Sequence, residues 1–399
     1  MWSSTADPAG PGRPRAVTAK TALPLADGTA ALDDAAVILA GRRILDVGKR
    51  RLVLRGFTGP VDDLGEVVLV PGLVNAHSHL ELAGRLGQCP PPAGFAAWAA
   101  WLAAGDRRVP PAALRDRAGA ERAGSGTGAV IDVGGRAGPA VADALLRAGL
   151  AGLVCHEAFG WRRPAKALVP AALEAAVSHA PDGAVRAAAS GHALYSTSPD
   201  TLRLAREACR LRQAPFCLHL AEHAEEAELL RSGTGALAAL LAGSVLPRGY
   251  APPGCSPVAE AARQGLLGPD VLAVHAVWLD AADRRLLAET GTHVCLCPRS
   301  NARIGVGTAD AEALLAAGVP LCLGTDSLAS NTDLDLWNEV RALLAACADL
   351  PARAVLAALT ANPARLLGRP GELGLLAPGA VGGLAVLPDD LRPRLADGS

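Results

Sequence analysis

The 399-residue sequence predicts an α/β fold, a (β/α)8 TIM barrel, on three observations. Short β-branched runs alternate with Ala- and Leu-rich intervals along most of the chain. Residue types that ligate metals stand at the ends of those runs. Both chain ends break the alternation and read as short strands of their own. Strand and helix in alternation mark a parallel sheet covered by helices. One barrel of roughly 250 residues with an appendage accounts for the length.

The first barrel strand is read from Val67-Val68-Leu69-Val70, which runs on toward His77-Ser78-His79. A strand repeats its side-chain direction every second residue, so His77 and His79 point the same way from one strand end. Further strands are predicted at Ala129–Val133, Gly152–Glu157, Val185–Ala189, Phe216–Leu220, Val271–His275, Thr292–Cys297 and Leu321–Gly324, which makes eight. Alanine is the best intrinsic helix former. Helices are predicted in the intervals, among them Ala140–Ala148, Thr201–Leu211, Ala224–Arg231, Ala281–Glu289 and Asp310–Ala317. Upstream, Val37–Gly48 reads as a hairpin turning at Gly41. Downstream, Gly374–Gly379 and Leu384–Leu387 read as short strands, so both ends can share one small sheet. The expected divisions are a disordered tail over 1–15, a composite β unit over 16–66 and 370–399, and the barrel over 67–369.

Acidic and basic residues nearly balance, for a net charge of −1. That leaves no electrostatic footprint for nucleic acid or an anionic membrane, and points to a small-molecule partner. Nine cysteines, an odd number without paired spacings, read as reduced thiols of a cytoplasmic protein. Cys295 and Cys297 lack the second half of a zinc knuckle. Met1–Arg15 has no basic region leading into an apolar core, so it does not read as a secretion signal. The apolar stretches Phe95–Ala104 and Ala236–Val245 fall short of the ~18 residues a membrane span needs.

Barrel sites are assembled at the carboxyl ends of the strands. There the sequence collects His77 and His79 from strand one, His219 and Glu222 from strand five, His275 from strand six and Asp326 from strand eight. Three imidazoles and a carboxylate suit zinc or ferrous iron and leave a coordination position open.

The run Pro71-Gly-Leu-Val-Asn-Ala-His77-Ser-His79-Leu-Glu81, together with His219-Leu-Ala-Glu222, His275 and Gly324-Thr-Asp326-Ser, resembles the amidohydrolase superfamily, in its cytosine deaminase, guanine deaminase and triazine chlorohydrolase branch. The likeness spans nearly the whole chain. It implies a metal-dependent hydrolase-type barrel with a small β-sandwich built from both termini. It also implies His77, His79, His219 and Asp326 as ligands of a divalent ion, zinc first and iron as the alternative. Superfamily members with two metals bridge them through a lysine at the end of strand four. The lysines here are Lys20, Lys49 and Lys166, so one ion is expected.

By the same resemblance the catalytic groups are Glu222, His275 and Asp326. Asp326 takes a proton from water, His275 holds that water in line, and Glu222 protonates the ring nitrogen beside the attacked carbon. His192 and Tyr195 in Ser190–Ser198 resemble a substrate-contacting segment of the family. Arg299 and Asn301 after strand seven, and Ser330 after strand eight, line the same mouth. Arg299 reads equally well as a helix C-terminal cap. His223 is either a pocket contact or a loop histidine, and His156-Glu157 can face the pocket, whereas His179 and His293 read as structural. Trp98 and Trp101 read as core on a helix. The sequence departs from the family pattern at Pro378–Leu384, which lacks the usual Ala-Asp pair.

The activity implied is an aminohydrolase that replaces an exocyclic amine on a nitrogen heterocycle by oxygen and releases ammonia. The motifs look most like the aminodeoxyfutalosine deaminases of the alternative menaquinone route. Two rivals share the site: a chlorohydrolase or imidazolonepropionase-type ring hydrolase, and a non-catalytic metal-binding scaffold. Relatives are often dimers, so a homodimer is among the assemblies implied.

Overall fold

The computed structural model describes residues 12–26, 28–105, 110–162 and 167–396. The tail expected over 1–15 lies outside the described residues as far as residue 11. Arg15, placed in that tail, opens a strand instead and pairs with Asp62. Lys166 also lies outside the described residues.

Six strands form the terminal sheet: β1 (Arg15–Ala22), β2 (Leu32–Ala40), β3 (Arg43–Lys49), β4 (Val61–Asp63), β5 (Val68–Pro71) and, from the far end of the chain, β14 (Leu384–Leu387). Their order is β14-β5-β1-β2-β3, with β4 beside β1. β2 and β3 are the expected hairpin, turned at Gly41 with φ 58°. The strand expected over 374–379 is irregular. Its last residue, Gly379, donates to the Ile44 carbonyl at 2.8 Å, and Ile44 N donates to the carbonyl of the next residue, Ala380, at 2.7 Å.

Eight parallel strands follow: β6 (Leu73–Ser78), β7 (Thr127–Gly134), β8 (Ala151–Ala158), β9 (Val185–Gly191), β10 (Phe216–Leu220), β11 (Val271–His275), β12 (His293–Leu296) and β13 (Leu321–Leu323). They pair as two runs of four, β6-β7-β8-β9 and β10-β11-β12-β13. Single parallel bridges join the runs at Ala193↔His219 and Ser78↔Asp326. The result is the (β/α)8 barrel expected. Helices lie between the strands, and caps set where they begin: Ser198 accepts from Thr201 N ahead of Pro199–Leu211, and Asp310 accepts from Ala313 N ahead of Ala311–Ala316. One apolar core, including Leu73, Ile131, Leu153, Phe216, Leu272, Val294 and Leu323, joins strands and helices.

One strand reading is corrected. Val67–Val70 does not begin the first barrel strand, because Val68–Pro71 pairs antiparallel with β14 and parallel with β1. The chain crosses between sheets at Gly72, where a Cβ would meet the Gly382 carbonyl oxygen at 2.0 Å. Only Leu73–Ser78 is barrel strand.

Candidate active site

His77, His79, His219 and Asp326 converge from β6, β10 and the residues after β13. The ligating nitrogens of the three histidines lie within 4.8 Å of one another. His77 Nε2 is 3.2 Å from His219 Nε2, and Asp326 Oδ1 is 3.5 Å from His79 Nε2 and 3.7 Å from His77 Nε2. Donors 2.0–2.1 Å from a tetrahedral zinc ion stand about 3.3 Å apart. The donor set and its spacing therefore fit a divalent cation.

Hydrogen bonds behind these groups fix which atoms face the centre. His219 Nδ1 donates to the His192 carbonyl at 2.9 Å, which leaves Nε2 with a lone pair. Asp326 Oδ2 accepts from Ser300 at 2.5 Å and from Ser330 at 3.0 Å, so Oδ1 is the oxygen turned to the imidazoles. His275 Nδ1 donates to Asn301 Oδ1 at 2.9 Å, and its Nε2 lies 3.7 Å from Glu222 Oε1. Non-glycine residues adopt left-handed backbone at three of these strand ends: Ala221 (φ 53°), His275 (φ 77°) and Asp326 (φ 55°). Such conformations cost on the order of 1–3 kcal/mol each and cluster at functional sites. Gly324 lets β13 approach β6, since a Cβ there would stand 2.7 Å from His77 Cβ.

Electrostatics divide the groups by protonation. Burial pushes His77 and His219 well below the usual imidazole range, with neighbouring imidazoles adding to the effect. His275 is lowered as well, chiefly by burial. Burial also opposes ionisation of Asp326, but His79, His275, His77 and the Ser300 hydroxyl together bring its carboxyl down to about 2. Glu222 moves the other way: burial, then the negative fields of Asp326, Glu226 and Glu225, hold it well above the usual carboxyl range. One mouth thus contains two buried carboxyls whose surroundings push them in opposite directions.

Of the other expected site residues, His192 and Tyr195 lie beside this centre. The His192 ring is 5.0 Å from that of His219, and its Nδ1 is 2.6 Å from Ser196 Oγ. The Tyr195 hydroxyl is buried without a hydrogen-bond partner among the described residues. Three residues expected to contact substrate are occupied elsewhere. Arg299 neither reaches the centre nor caps a helix C-terminus. It stands in the first turn of Pro298–Ile304, and its guanidinium forks onto Asp333 at 2.6 and 2.9 Å. The Asn301 amide oxygen serves His275, and the Ser330 hydroxyl serves Asp326. Both polar side chains are buried behind His275 and Asp326.

His223 is a buried cap: its Nδ1 accepts from Glu226 N at 3.1 Å, and its ring stacks on Phe95 at 3.7 Å. Phe95 opens the helix Phe95–Ala104, whose Trp98 donates to the Ala329 carbonyl at 3.3 Å. That helix crosses from the end of β10 to the loop after β13. On β8 the two candidates separate. His156 Nδ1 donates to the Gly135 carbonyl at 3.1 Å, whereas Glu157 Oε1 lies 3.8 Å from His219 Nδ1. Adjacent strand residues face opposite ways.

Sequence reasoning missed Asn75, Ser300 and Glu226. Asn75 is two residues before His77 and so shares its face of β6, a periodic signal that was available. It donates to Glu121 and Thr325 Oγ1 and accepts from Thr325 N, tying the first barrel strand to the last. Glu226 accepts from Glu222 N at 3.0 Å.

Among the described residues no helix is long and apolar enough to cross a membrane. The amidohydrolase family model matches residues 68–396. A 5-methylthioadenosine/S-adenosylhomocysteine deaminase of Syntrophobacter fumaroxidans is 31% identical over 387 residues, covering 91% of this chain and 82% of that protein. A 5'-deoxyadenosine deaminase of Methanothrix thermoacetophila is 28% identical, covering 82% of this chain and 75% of its own. Among solved structures, a Xanthomonas campestris adenosine deaminase with bound zinc superposes with a TM-score of 0.75 at 26% identity, covering 94% of this chain and 84% of that one. The Helicobacter pylori aminofutalosine deaminase gives 0.79 at 20% identity, covering 93% and 91%. The family match, the relatives and the placement of the metal-ligating residues agree: the chain belongs to the amidohydrolase family, hydrolases that act on carbon–nitrogen bonds.

Proposed function

We propose that this protein is a metal-dependent aminohydrolase that removes the 6-amino group of an adenine nucleoside and releases ammonia. The observation that carries this reading is the placement of two buried carboxyls on one cluster of imidazoles, Asp326 Oδ1 3.5 Å from His79 Nε2 and Glu222 Oε1 3.7 Å from His275 Nε2, with neighbouring groups holding the first low and burial pushing the second up. Two titratable groups pushed apart in this way are the mark of a paired base and acid. Deamination needs both: a base to take a proton from attacking water, and an acid to neutralise charge on the ring nitrogen next to the attacked carbon.

His77, His79, His219 and Asp326 would hold the ion, one per chain, with zinc favoured over iron. A divalent ion held there would lower the pKa of water from about 15.7 to about 7. Asp326 Oδ1 accepts a proton as the water oxygen bonds to C6. His275, its Nδ1 proton committed to Asn301, presents Nε2 as an acceptor and aligns the water. Glu222 gives its proton to N1, so that electron density displaced from the C6–N1 double bond is neutralised where it arrives. The 6-amino nitrogen then takes the proton held by Asp326, the C6–N bond breaks as the new C6 hydroxyl becomes a carbonyl and returns its proton to Glu222, and ammonia leaves. Each positioned acid or base contributes about 10²–10⁴-fold.

The curated relatives act on adenine nucleosides by name, which favours that base over cytosine or triazine. Aminodeoxyfutalosine is the individual nucleoside we favour, on the sequence motifs and the fold likeness together. The test is ammonia release from adenosine, 5'-deoxyadenosine, 5-methylthioadenosine, aminodeoxyfutalosine, guanine, cytosine and a chlorotriazine. Glu222→Gln should lower kcat on the preferred nucleoside by about 10²–10⁴-fold while keeping its zinc. Equal rates for the two proteins, or turnover confined to cytosine or the triazine, would overturn the proposal.

A further inference from the structure

One carboxylate at the mouth has no role in the chemistry just described. Glu157, near the end of β8, places Oε1 3.8 Å from His219 Nδ1, with its side chain 17% exposed. Polar atoms of Glu157, His192 and His219 lie within 4.8 Å of one another. That grouping is not a second cation site of the same kind, because His219 Nδ1 already donates its proton to the His192 carbonyl.

The other walls of the mouth are taken. Glu222 and His275 hold the ends of β10 and β11, where the reacting edge of the base must lie. Beyond β12 and β13, Ser300, Asn301 and Ser330 are buried and bonded to Asp326 or His275. The helix Phe95–Ala104 covers the side between His223 and Ala329. Among the described residues, the direction left for the remainder of a nucleoside is toward the ends of β8 and β9. There Phe159, 58% exposed, meets the His192 ring edge-on at 5.2 Å.

A carboxylate accepts hydrogen bonds and donates none when ionised. On an adenine nucleoside the ring nitrogens N3 and N7 are acceptors, and the base's donor is the amino group at the reacting edge. The donors on the far side of the molecule are the sugar hydroxyls, which can give a proton to a carboxylate. We propose that Glu157 reads the ribose hydroxyls, so that the site selects ribonucleosides over 2'-deoxy- and 3'-deoxynucleosides and over the free base. This inference rests on the adenine-nucleoside reading above. It adds Glu157 as a specificity residue of the same site.

The test compares kcat/KM for adenosine, 2'-deoxyadenosine and 3'-deoxyadenosine in the wild type and in Glu157→Ala, with zinc content measured on both proteins. A hydrogen bond to a charged group corresponds to about 10- to 150-fold, so wild type should prefer adenosine over at least one deoxynucleoside by that factor. The variant should narrow the preference to within about threefold while binding as much zinc as wild type. Should the alanine variant not fold, Glu157→Gln, of nearly the same shape and uncharged, is expected to narrow the ratio in the same direction. A variant that keeps the full preference overturns the inference. So does a parallel loss of zinc and of turnover on all three substrates, which would make Glu157 a support of His219. Wild type that deaminates ribo- and deoxynucleosides equally overturns the inference alone. Wild type that deaminates no adenine nucleoside overturns the proposed function with it.

Discussion

Replacing Asn75 by alanine tests whether the metal site depends on the junction between the first and last barrel strands. Asn75 is fully buried on β6. Its Nδ2 donates to Glu121 Oε1 at 2.6 Å and to Thr325 Oγ1 at 2.8 Å, and its Oδ1 accepts from Thr325 N at 3.1 Å. Alanine strips the Glu121 carboxyl of this bond, when its other oxygen already lacks a partner, and leaves the Thr325 N–H facing an apolar methyl. Each buried polar group left unsatisfied costs about 1–3 kcal/mol, so Asn75→Ala should destabilise the protein by roughly 2–6 kcal/mol. Thr325 precedes Asp326, and Asn75 precedes His77 by two residues, so the same loss loosens the spacing of the ligands. Removing a support of this kind lowers metal affinity by about 10–100-fold. Urea unfolding of the metal-free protein and zinc competition against a chelating dye measure the two effects. Stability within about 1 kcal/mol of wild type together with unchanged zinc affinity would refute the reasoning.

Asn301→Leu leaves His275 Nδ1 without its acceptor, and kcat should fall by about 10²-fold with little change in KM, as steady-state kinetics will show. A larger effect on KM would place Asn301 on the substrate instead. Chelation of the resident ion should abolish turnover, and zinc should restore it at one equivalent per chain, read by metal analysis of the reactivated protein. Glu121 and Glu226, both fully buried, are raised from 4.5 to about 8, chiefly by burial. The folded state then holds protons that the unfolded state has lost. Stability should therefore decline as pH rises from about 4.5 to about 8, by roughly 1.4 kcal/mol per pH unit for each group, and level off above. Urea midpoints across that range check the sign, and Glu121→Gln should flatten the slope.

Much of the barrel was legible because its signals are local. Period-two placement of His77 and His79, and polar residues closing apolar runs at His219, His275 and Asp326, follow from strand geometry alone. Val68–Pro71 was assigned to the wrong sheet because a buried run looks the same in either one. Only the contact of Gly72 with Gly382, over 300 residues away in sequence, shows where the chain changes sheets. Arg299 was left open between a substrate contact and a helix cap for a similar reason: its partner Asp333 belongs to the next strand's loop, and a guanidinium in a polar loop does not announce which carboxylate it will meet. Asn301 and Ser330 were placed at the site by position, but their hydrogen bonds to His275 and Asp326 were not legible. Residue type and spacing locate a polar group near a centre, whereas which of two neighbours it bonds is settled by packing.

The two four-stranded runs of the barrel are each stitched by a full backbone ladder, yet between the runs the ladder shrinks to one backbone bridge on either side. Both bridges include one of the proposed ligands, His219 at one and Asp326 at the other, while His77 and His79 belong to the opposite run. An ion held by all four would be a clasp between half-barrels as well as a reagent. Stripping it should let the halves part before either frays, and the amides of His219 and Asp326 should be the first to exchange their hydrogens with solvent.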